Sequence, residues 1–310
     1  MTMKKVVGIL LAAVLVVGVM GAMTGCNAIT IDGEEQGTTL DSGNGAVGFS
    51  VSTLNNPFFV SLADGAKKTA KKSDVKLVVV DAGDDAAKQT SDIEDLISRN
   101  VSVIIVNPVD SDAVAPAVKN AMEKGIKVIS VDRVVNGVDV DCQIASDNVA
   151  GAEMATKYLE ELIGKGAKVA EIQGVTGASA TIDRGKGFHN IADKELKVVA
   201  SQSAEFNRAK GMTVMENILQ SDSSIKGVFA HNDEMALGAA EAVSASGKDI
   251  KVVGFDATDD ATTAIKSGKM SATVAQKPDK MGETAVATAI QLIKGDTVVK
   301  SIPVEVELVK

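Results

Sequence analysis

The feature that most constrains this chain is an alternation kept along most of its length. Short unbroken apolar runs, rich in β-branched residues, are each followed by a segment with apolar residues at helical spacing. Runs at 46–51, 76–80, 101–106 and 127–131 alternate with helical patterns opening at Pro57 and spanning 86–99 and 113–124. The scheme then returns. Helical patterns at 150–163, 185–192, 208–219, 234–245, 259–266 and 281–293 separate runs at 168–172, 197–200, 227–230, 250–255 and 272–275, and 303–309 is extended. A strand with one wet face alternates polar and apolar residues, so unbroken runs mean strands covered on both faces. The fold class that follows is α/β with parallel sheets, and two doubly wound, Rossmann-like halves fit better than one very large sheet.

In such sheets ligands bind beyond the carboxyl ends of the strands, and there the chain places its unusual residues. The first run leads into Ser52-Thr53-Leu54-Asn55-Asn56-Pro57-Phe58-Phe59. Pro57 suits the first helical position and Asn56 the cap before it. The whole chain has seven Phe, one Tyr and no Trp, so paired Phe at a strand-to-helix turn stand out. Later runs end in Asn107, in Asp132-Arg133, in His231-Asn232-Asp233, in Asp256 and in Gln276. Asp accepts, Arg donates in a rigid fork, and Asn and Gln do both, a mixture that matches the hydroxyls of a sugar. Phe58, Phe59, Phe206 and Phe255 also fall at these turns and offer apolar faces. Singly, each residue has an ordinary explanation: Asn107 and Asn232 as helix caps, Asp132 and Arg133 as a loop ion pair of little worth. As a set they favour a polar ligand held in a cleft.

Other chemistries lack their residues. Gly43 to Gly48 matches the spacing of a dinucleotide loop, but these glycines precede the strand instead of joining it to a helix. No phosphate-binding Walker loop occurs, and His189 and His231 have no Cys or His neighbour at metal-ligand spacing. Ser179 sits in a run of small residues without the pattern of a nucleophile elbow. No enzyme activity and no cofactor is therefore expected. The chain carries 41 acidic and 32 basic residues, a net charge of −9, which argues against nucleic acid as a partner.

The amino-terminal end reads as an address. A basic start at 1–5 precedes a fifteen-residue apolar run at 6–20, short of the ~20 that a spanning helix needs and suited to an export signal. Met23-Thr24-Gly25-Cys26 resembles a bacterial lipobox, which implies cleavage after residue 25 and lipidation of Cys26. Loss of Lys4 and Lys5 with the signal takes the net charge from −9 to −11. Residues 26–44 are rich in Gly, Thr, Ser and acids and are expected to form a flexible tether. Cys142 is then the one remaining cysteine, so no disulfide can form within the chain.

These residues together resemble the sugar-binding members of the periplasmic binding protein type 1 family, which serve ABC uptake systems. The resemblance runs from about Val47 to Leu308. It is carried by Ser52 to Phe59, Asn107 to Asp112, Ala145 to Asn148, His231 to Gly238 and Val253 to Asp256. It implies a clamshell of two domains, 45–146 plus 278–307 and 147–277 plus 308–310, with hinge crossings near Ser146-Asp147, near Gln276-Pro278 and close to the carboxyl terminus. It implies pentose contacts at Ser52, Asn56, Phe58, Phe59, Asn107, Asp132 and Arg133 in the first domain. In the second they are Arg184, Phe206, Asn232, Phe255 and Asp256, with Gln276 at the hinge. D-ribose is the ligand implied, a related pentose or furanose the alternative, and the expected partner is an ABC transporter permease, with a chemoreceptor as a second possible reader of a monomeric binder. The lipid anchor would hold it on the outer face of the cytoplasmic membrane. LacI-type regulators share this fold, but they begin with a basic helix-turn-helix in place of an export signal and acidic tether. The chain departs from the family pattern twice: Ile182-Asp183-Arg184 replaces Arg-acid-Arg, and Ala257 stands where Gly is usual.

Overall fold

A computed structural model describes residues 45–310; the expected export signal at 1–25, lipidated Cys26 and tether at 26–44 lie outside the described residues. The chain begins β1 (Val47–Val51), α1 (Pro57–Lys72), β2 (Leu77–Asp81), α2 (Ala86–Ser98), β3 (Val103–Val106), α3 (Ala115–Glu123), β4 (Lys127–Val131), β5 (Cys142–Ser146). It continues α4 (Asn148–Ile163), β6 (Lys168–Gln173), α5 (Ser179–Glu195), β7 (Lys197–Ser203), α6 (Arg208–Ser221), β8 (Gly227–Ala230), α7 (Asp233–Ser246). The last elements are β9 (Lys251–Val253), α8 (Asp259–Lys266), β10 (Thr273–Ala275), α9 (Pro278–Ile293), β11 (Ser301–Val304) and β12 (Glu307–Val309).

Two parallel sheets form, in the orders β11-β5-β4-β3-β1-β2 and β7-β6-β8-β9. In the first, the strand order reverses between β1 and β3; in the second it reverses between β6 and β8. A crevice opens beyond the strand ends at such a reversal. The period-2 geometry of a strand sends neighbouring side chains to opposite faces. Val103 and Ile105 of β3 accordingly join Phe49, Leu62, Ile129 and Met281, while Ile104 and Val106 join Ile93, Leu96, Val118 and Val128. Both faces are covered by helices, which is why β1 and β3 are buried throughout.

The helices are set by local chemistry. Asn56 caps α1 by accepting from Phe58 N at 2.9 Å, with Pro57 at the first position. Its apolar stripe of Phe59, Leu62, Ala63, Ala66 and Ala70 is buried as the spacing predicts. The opposite end of the chain packs against it: a Cβ on Gly65 would lie 2.1 Å from Asp279 O, and one on Gly282 2.0 Å from Leu62 O. α1 and α9 thus approach closely only because neither glycine carries a side chain.

The chain passes between the two sheets three times, between β5 and α4, between β10 and α9, and between β11 and β12. β10 and β12 pair antiparallel beside the second sheet, joined to it by bridges Val253–Ala272 and Asp256–Ala275. We call the two sheets with their helices the first and second lobes.

The strand β5 has no counterpart in the sequence reading. Its residues Cys142-Gln143-Ile144-Ala145-Ser146 alternate buried and half-buried, so it lacks the unbroken apolar run by which its neighbours are recognised. α5 starts at Ser179 instead of 185, because its first turns, with Ile182 56% exposed, carry little apolar periodicity. The segment at 303–309 divides into β11 and β12, paired with different lobes.

Candidate functional site

The seven Phe separate into two groups. Phe49, Phe188 and Phe229 are fully buried core, with Phe188 and Phe229 stacked at 5.6 Å. Phe58, Phe59, Phe206 and Phe255 stand at strand-to-helix turns, where the lobes meet over a small cavity, although Phe255 is itself fully buried. Ten of the thirteen expected contacts line it: Asn56, Phe58, Phe59, Asp132 and Arg133 from the first lobe, and Arg184, Phe206, Asn232, Asp256 and Gln276 from the second lobe and crossing. Ala180 lines it too. Ser52, Asn107 and Phe255 do not; they stand one layer behind.

In the first lobe, Asn107 organises the strand ends. Its Oδ1 accepts from Ser52 N at 3.2 Å, and its Nδ2 donates to Asp132 Oδ2 at 3.1 Å and Val131 O at 3.2 Å. Asp132 adopts φ +64, a conformation unusual for a residue with a side chain. Arg133 Nη1 donates to Pro108 O at 2.8 Å, and its guanidinium lies 5.1 Å from the Phe59 ring and 5.3 Å from the Phe206 ring. This arginine of the first lobe therefore stacks between aromatics of both.

In the second lobe, Arg184 is held from behind. Its Nε donates to Asn148 Oδ1 at 2.8 Å and its Nη1 to His231 O at 2.5 Å, while the guanidinium lies 4.0 Å over Phe255. Asp256 Oδ1 is 3.8 Å from Arg184 Nη1 and accepts from Gln276 Nε2 at 2.8 Å. Asn232 caps α7 through Met235 N at 3.0 Å, and its Nδ2 donates to Phe206 O at 3.3 Å. The ordinary explanation of Asn232 as a cap is thus true, and the residue faces the cavity as well.

The lobes also touch outside the cavity. Ser111 N donates to Gly177 O at 3.1 Å, Ser179 N to Ser111 Oγ at 3.2 Å, and Val134 N to Ser179 Oγ at 3.0 Å. Ser179 therefore bonds to backbone across the lobes, and His231 pairs with Glu171 at 2.9 Å. No nucleophile–base pair arises from them. Gly177, at φ +89, allows the contact: a Cβ there would lie 2.1 Å from Asp110 Oδ2.

Burial dominates the electrostatics. It raises the Asp132 carboxyl against the pull of Arg133 and Arg184, and it raises Asp256 well above the ordinary range against Arg184, with Asp233 adding to the rise. Burial likewise lowers Arg133 and Arg184, which Asp132 and Asp256 respectively oppose. The charged groups on the cavity are two arginines and two aspartates, formally a balanced set. Such a set suits a neutral ligand with many hydroxyls, since an ion would leave one buried charge uncompensated. Gln276 Oε1, Ser52 Oγ and Arg133 Nε, the last 3.6 Å from Asp132 Oδ2, are buried without a hydrogen-bond partner, and buried polar groups ordinarily have one.

Three supporting residues are not among the expected contacts. Gln89 Nε2 donates to Asn107 O at 2.9 Å and its Oε1 accepts from Val109 N at 2.7 Å. Its signal was available: it lies one turn before Ile93, a polar residue on the buried face of α2. Asn148 and Asp233 sit beside helix caps, where Asn and Asp are commonplace.

Residues 47–297 match the family described as "Periplasmic binding protein domain". The chain is 49% identical over 309 residues to a ribose import binding protein of Bacillus subtilis, covering 99% of each chain. It is 48% identical over 261 residues to the Escherichia coli protein of the same name, covering 84% of this chain and 88% of that one. Among solved structures, the Caulobacter myo-inositol binding protein bound to myo-inositol superposes with a TM-score of 0.84 at 36% identity, covering 88% and 96% of the two chains.

Proposed function

The chain belongs to the periplasmic binding protein family, and from that membership we propose that it captures D-ribose between its lobes and delivers it to an ABC transporter. The observation that carries this reading is the charge-balanced set of Asp132, Arg133, Arg184 and Asp256, walled by phenylalanines from both lobes. Aspartates and amides accept and donate to sugar hydroxyls, and Phe rings cover the C–H faces. The names of the Bacillus and Escherichia relatives favour ribose. Family membership speaks for binding and transport, not catalysis.

The thirteen expected contacts act in two tiers in this reading. Ten touch the ligand, while Ser52, Asn107 and Phe255 hold Asp132 and Arg184 in place. The two lobes are the moving domains, turning about the three crossings, so ligand contacts on both sides shift the population toward the closed form. Titration calorimetry of the mature protein against ribose, other pentoses, hexoses and myo-inositol tests the assignment. Ribose binding at least tenfold tighter than the rest is expected; preference for another sugar of the panel reassigns the ligand, and no binding at all removes the reading.

The same proposal places the protein outside the cytoplasmic membrane on a lipid at Cys26, as a monomer. More than one acyl chain is needed for firm anchoring. Cys26→Ser should leave the protein unprocessed or released from the membrane fraction; a variant processed and retained like its parent would count against the lipobox. A receptor that reads the closed form is a further partner consistent with the same motion.

A further inference from the structure

Asp233 opens α7 directly after its cap, fully buried, and it lines no part of the cavity. Its carboxylate is occupied by hydroxyls and an amide of other segments. Oδ2 accepts from Thr258 N at 2.8 Å and from Thr258 Oγ1 at 3.2 Å, and Oδ1 accepts from Thr273 Oγ1 at 2.6 Å. The Thr273 hydroxyl accepts in turn from Ala257 N at 3.3 Å, and Asp233 N donates to Phe255 O at 2.8 Å. Every residue from 255 to 258 except Asp256 is thereby tied, directly or through Thr273, to Asp233. Packing leaves no slack, since a Cβ on Gly254 would lie 2.4 Å from Asp233 Oδ1.

The tied segment is one that needs holding. Asp256 and Ala257 take φ +127 and φ +57 in succession, a backbone that residues with side chains adopt only when their surroundings impose it. A carboxylate is also a costly choice for a buried clamp, and burial pushes this one up to about 7. A helix-terminal acid serving only the α7 dipole would sit in water, where it costs nothing to ionise.

We propose that Asp233 is a positioning residue of the sugar site: it clamps the strained 255–258 turn so that the Asp256 carboxylate stays in the cavity beside Arg184 and Gln276. The inference rests on Asp256 being a ligand contact, as proposed above. It does not require Asp233 to touch the sugar.

A double-mutant cycle separates this role from a merely structural one. Ribose affinity is measured by calorimetry for the parent, Asp233→Asn, Asp256→Ala and the double variant, with melting temperatures recorded for each. Asp233→Asn keeps the shape but turns one acceptor into a donor facing the Thr258 or Thr273 group. We expect about tenfold weaker binding in the parent background and no further weakening in the Asp256→Ala background. Thr273→Val cuts the same clamp from its other side and should repeat the pattern, which keeps the test decisive if Asp233→Asn does not fold. Equal losses in both backgrounds, or unchanged affinity with only a lower melting temperature, would overturn the proposal while leaving the sugar assignment intact. A parent that binds no sugar overturns the functional reading and this inference with it.

Discussion

Asp132 shows how one side chain is committed before any ligand arrives. It is buried, accepts from Asn107 Nδ2, and its Oδ2 lies 3.6 Å from Arg133 Nε, which has no hydrogen-bond partner. Truncation to Ala would strand the Asn107 donor and the Arg133 charge in a closed site. Losing a hydrogen bond to a charged group costs about 1.5–3 kcal/mol, or roughly ten- to more than a hundredfold in affinity. Calorimetry should show a loss of that size for Asp132→Ala, whereas Lys71→Ala, on the exposed last turn of α1, should bind like the parent. Equal affinities for the two variants would mean that the ligand or the site is misassigned. Residues of the Asp132 kind are legible in sequence because strand ends converge at one place in a doubly wound sheet. Asp233 is not legible, because its role depends on Thr273, forty positions away, and a lone sequence shows only an acid after a cap. Gln89 is an intermediate case, since a polar residue on an apolar helix face marks itself but not its partners.

At the scale of elements, the alternation of apolar runs with helices reveals the sheets and misses what departs from that pattern. β5 alternates, and the first turns of α5 have almost no apolar face; both are defined by what they bond to across the chain. The start of α5 matters most here, because Ser179 and Gly177 form the contacts to Ser111 and Val134 that span the lobes. In the lobe motion proposed above, opening the cleft breaks these bonds and returns their groups to water. Ser179→Ala removes the acceptor for Val134 N in the closed form alone, leaving every cavity side chain in place. Val134 N is only part-buried, so losing this bond costs about 0.5–1.5 kcal/mol, a factor of roughly two to ten. Stopped-flow measurement should find that loss mainly in faster dissociation, since the missing bond forms only as the lobes close. An unchanged dissociation rate would show that these bonds contribute nothing to closure.

For the molecule as a whole, two sheets joined by three crossings bring an aspartate and an arginine from each lobe to one buried cavity, and its response to pH follows from that burial. Asp132 and Asp256 are both raised, burial first among the causes, and Asp233 behind Asp256 is pushed up to about 7. A carboxyl raised in the folded state holds its proton more tightly folded than unfolded. Its burial therefore costs stability above its folded pKa, and that cost disappears as pH falls through the folded value toward the unfolded one. Sugar binding carries the opposite sign. Hydroxyl donors of a ligand favour ionised Asp132 and Asp256, so binding expels protons wherever the free carboxyls are partly protonated. Affinity should accordingly weaken as pH falls through the raised titrations of Asp132 and Asp256, in a window above the ordinary carboxylate range. As pH falls over the same range, the stability cost of these three carboxyls in the unliganded protein shrinks. Calorimetry in two buffers of different ionisation enthalpy counts the protons released, and Asp132→Asn, which keeps one acceptor but cannot ionise, should reduce both the count and the pH slope. Ribose affinity that stays flat across the window, with no proton release, would mean that these carboxylates are already fully ionised in the empty site and that the arginines outweigh the cost of their burial.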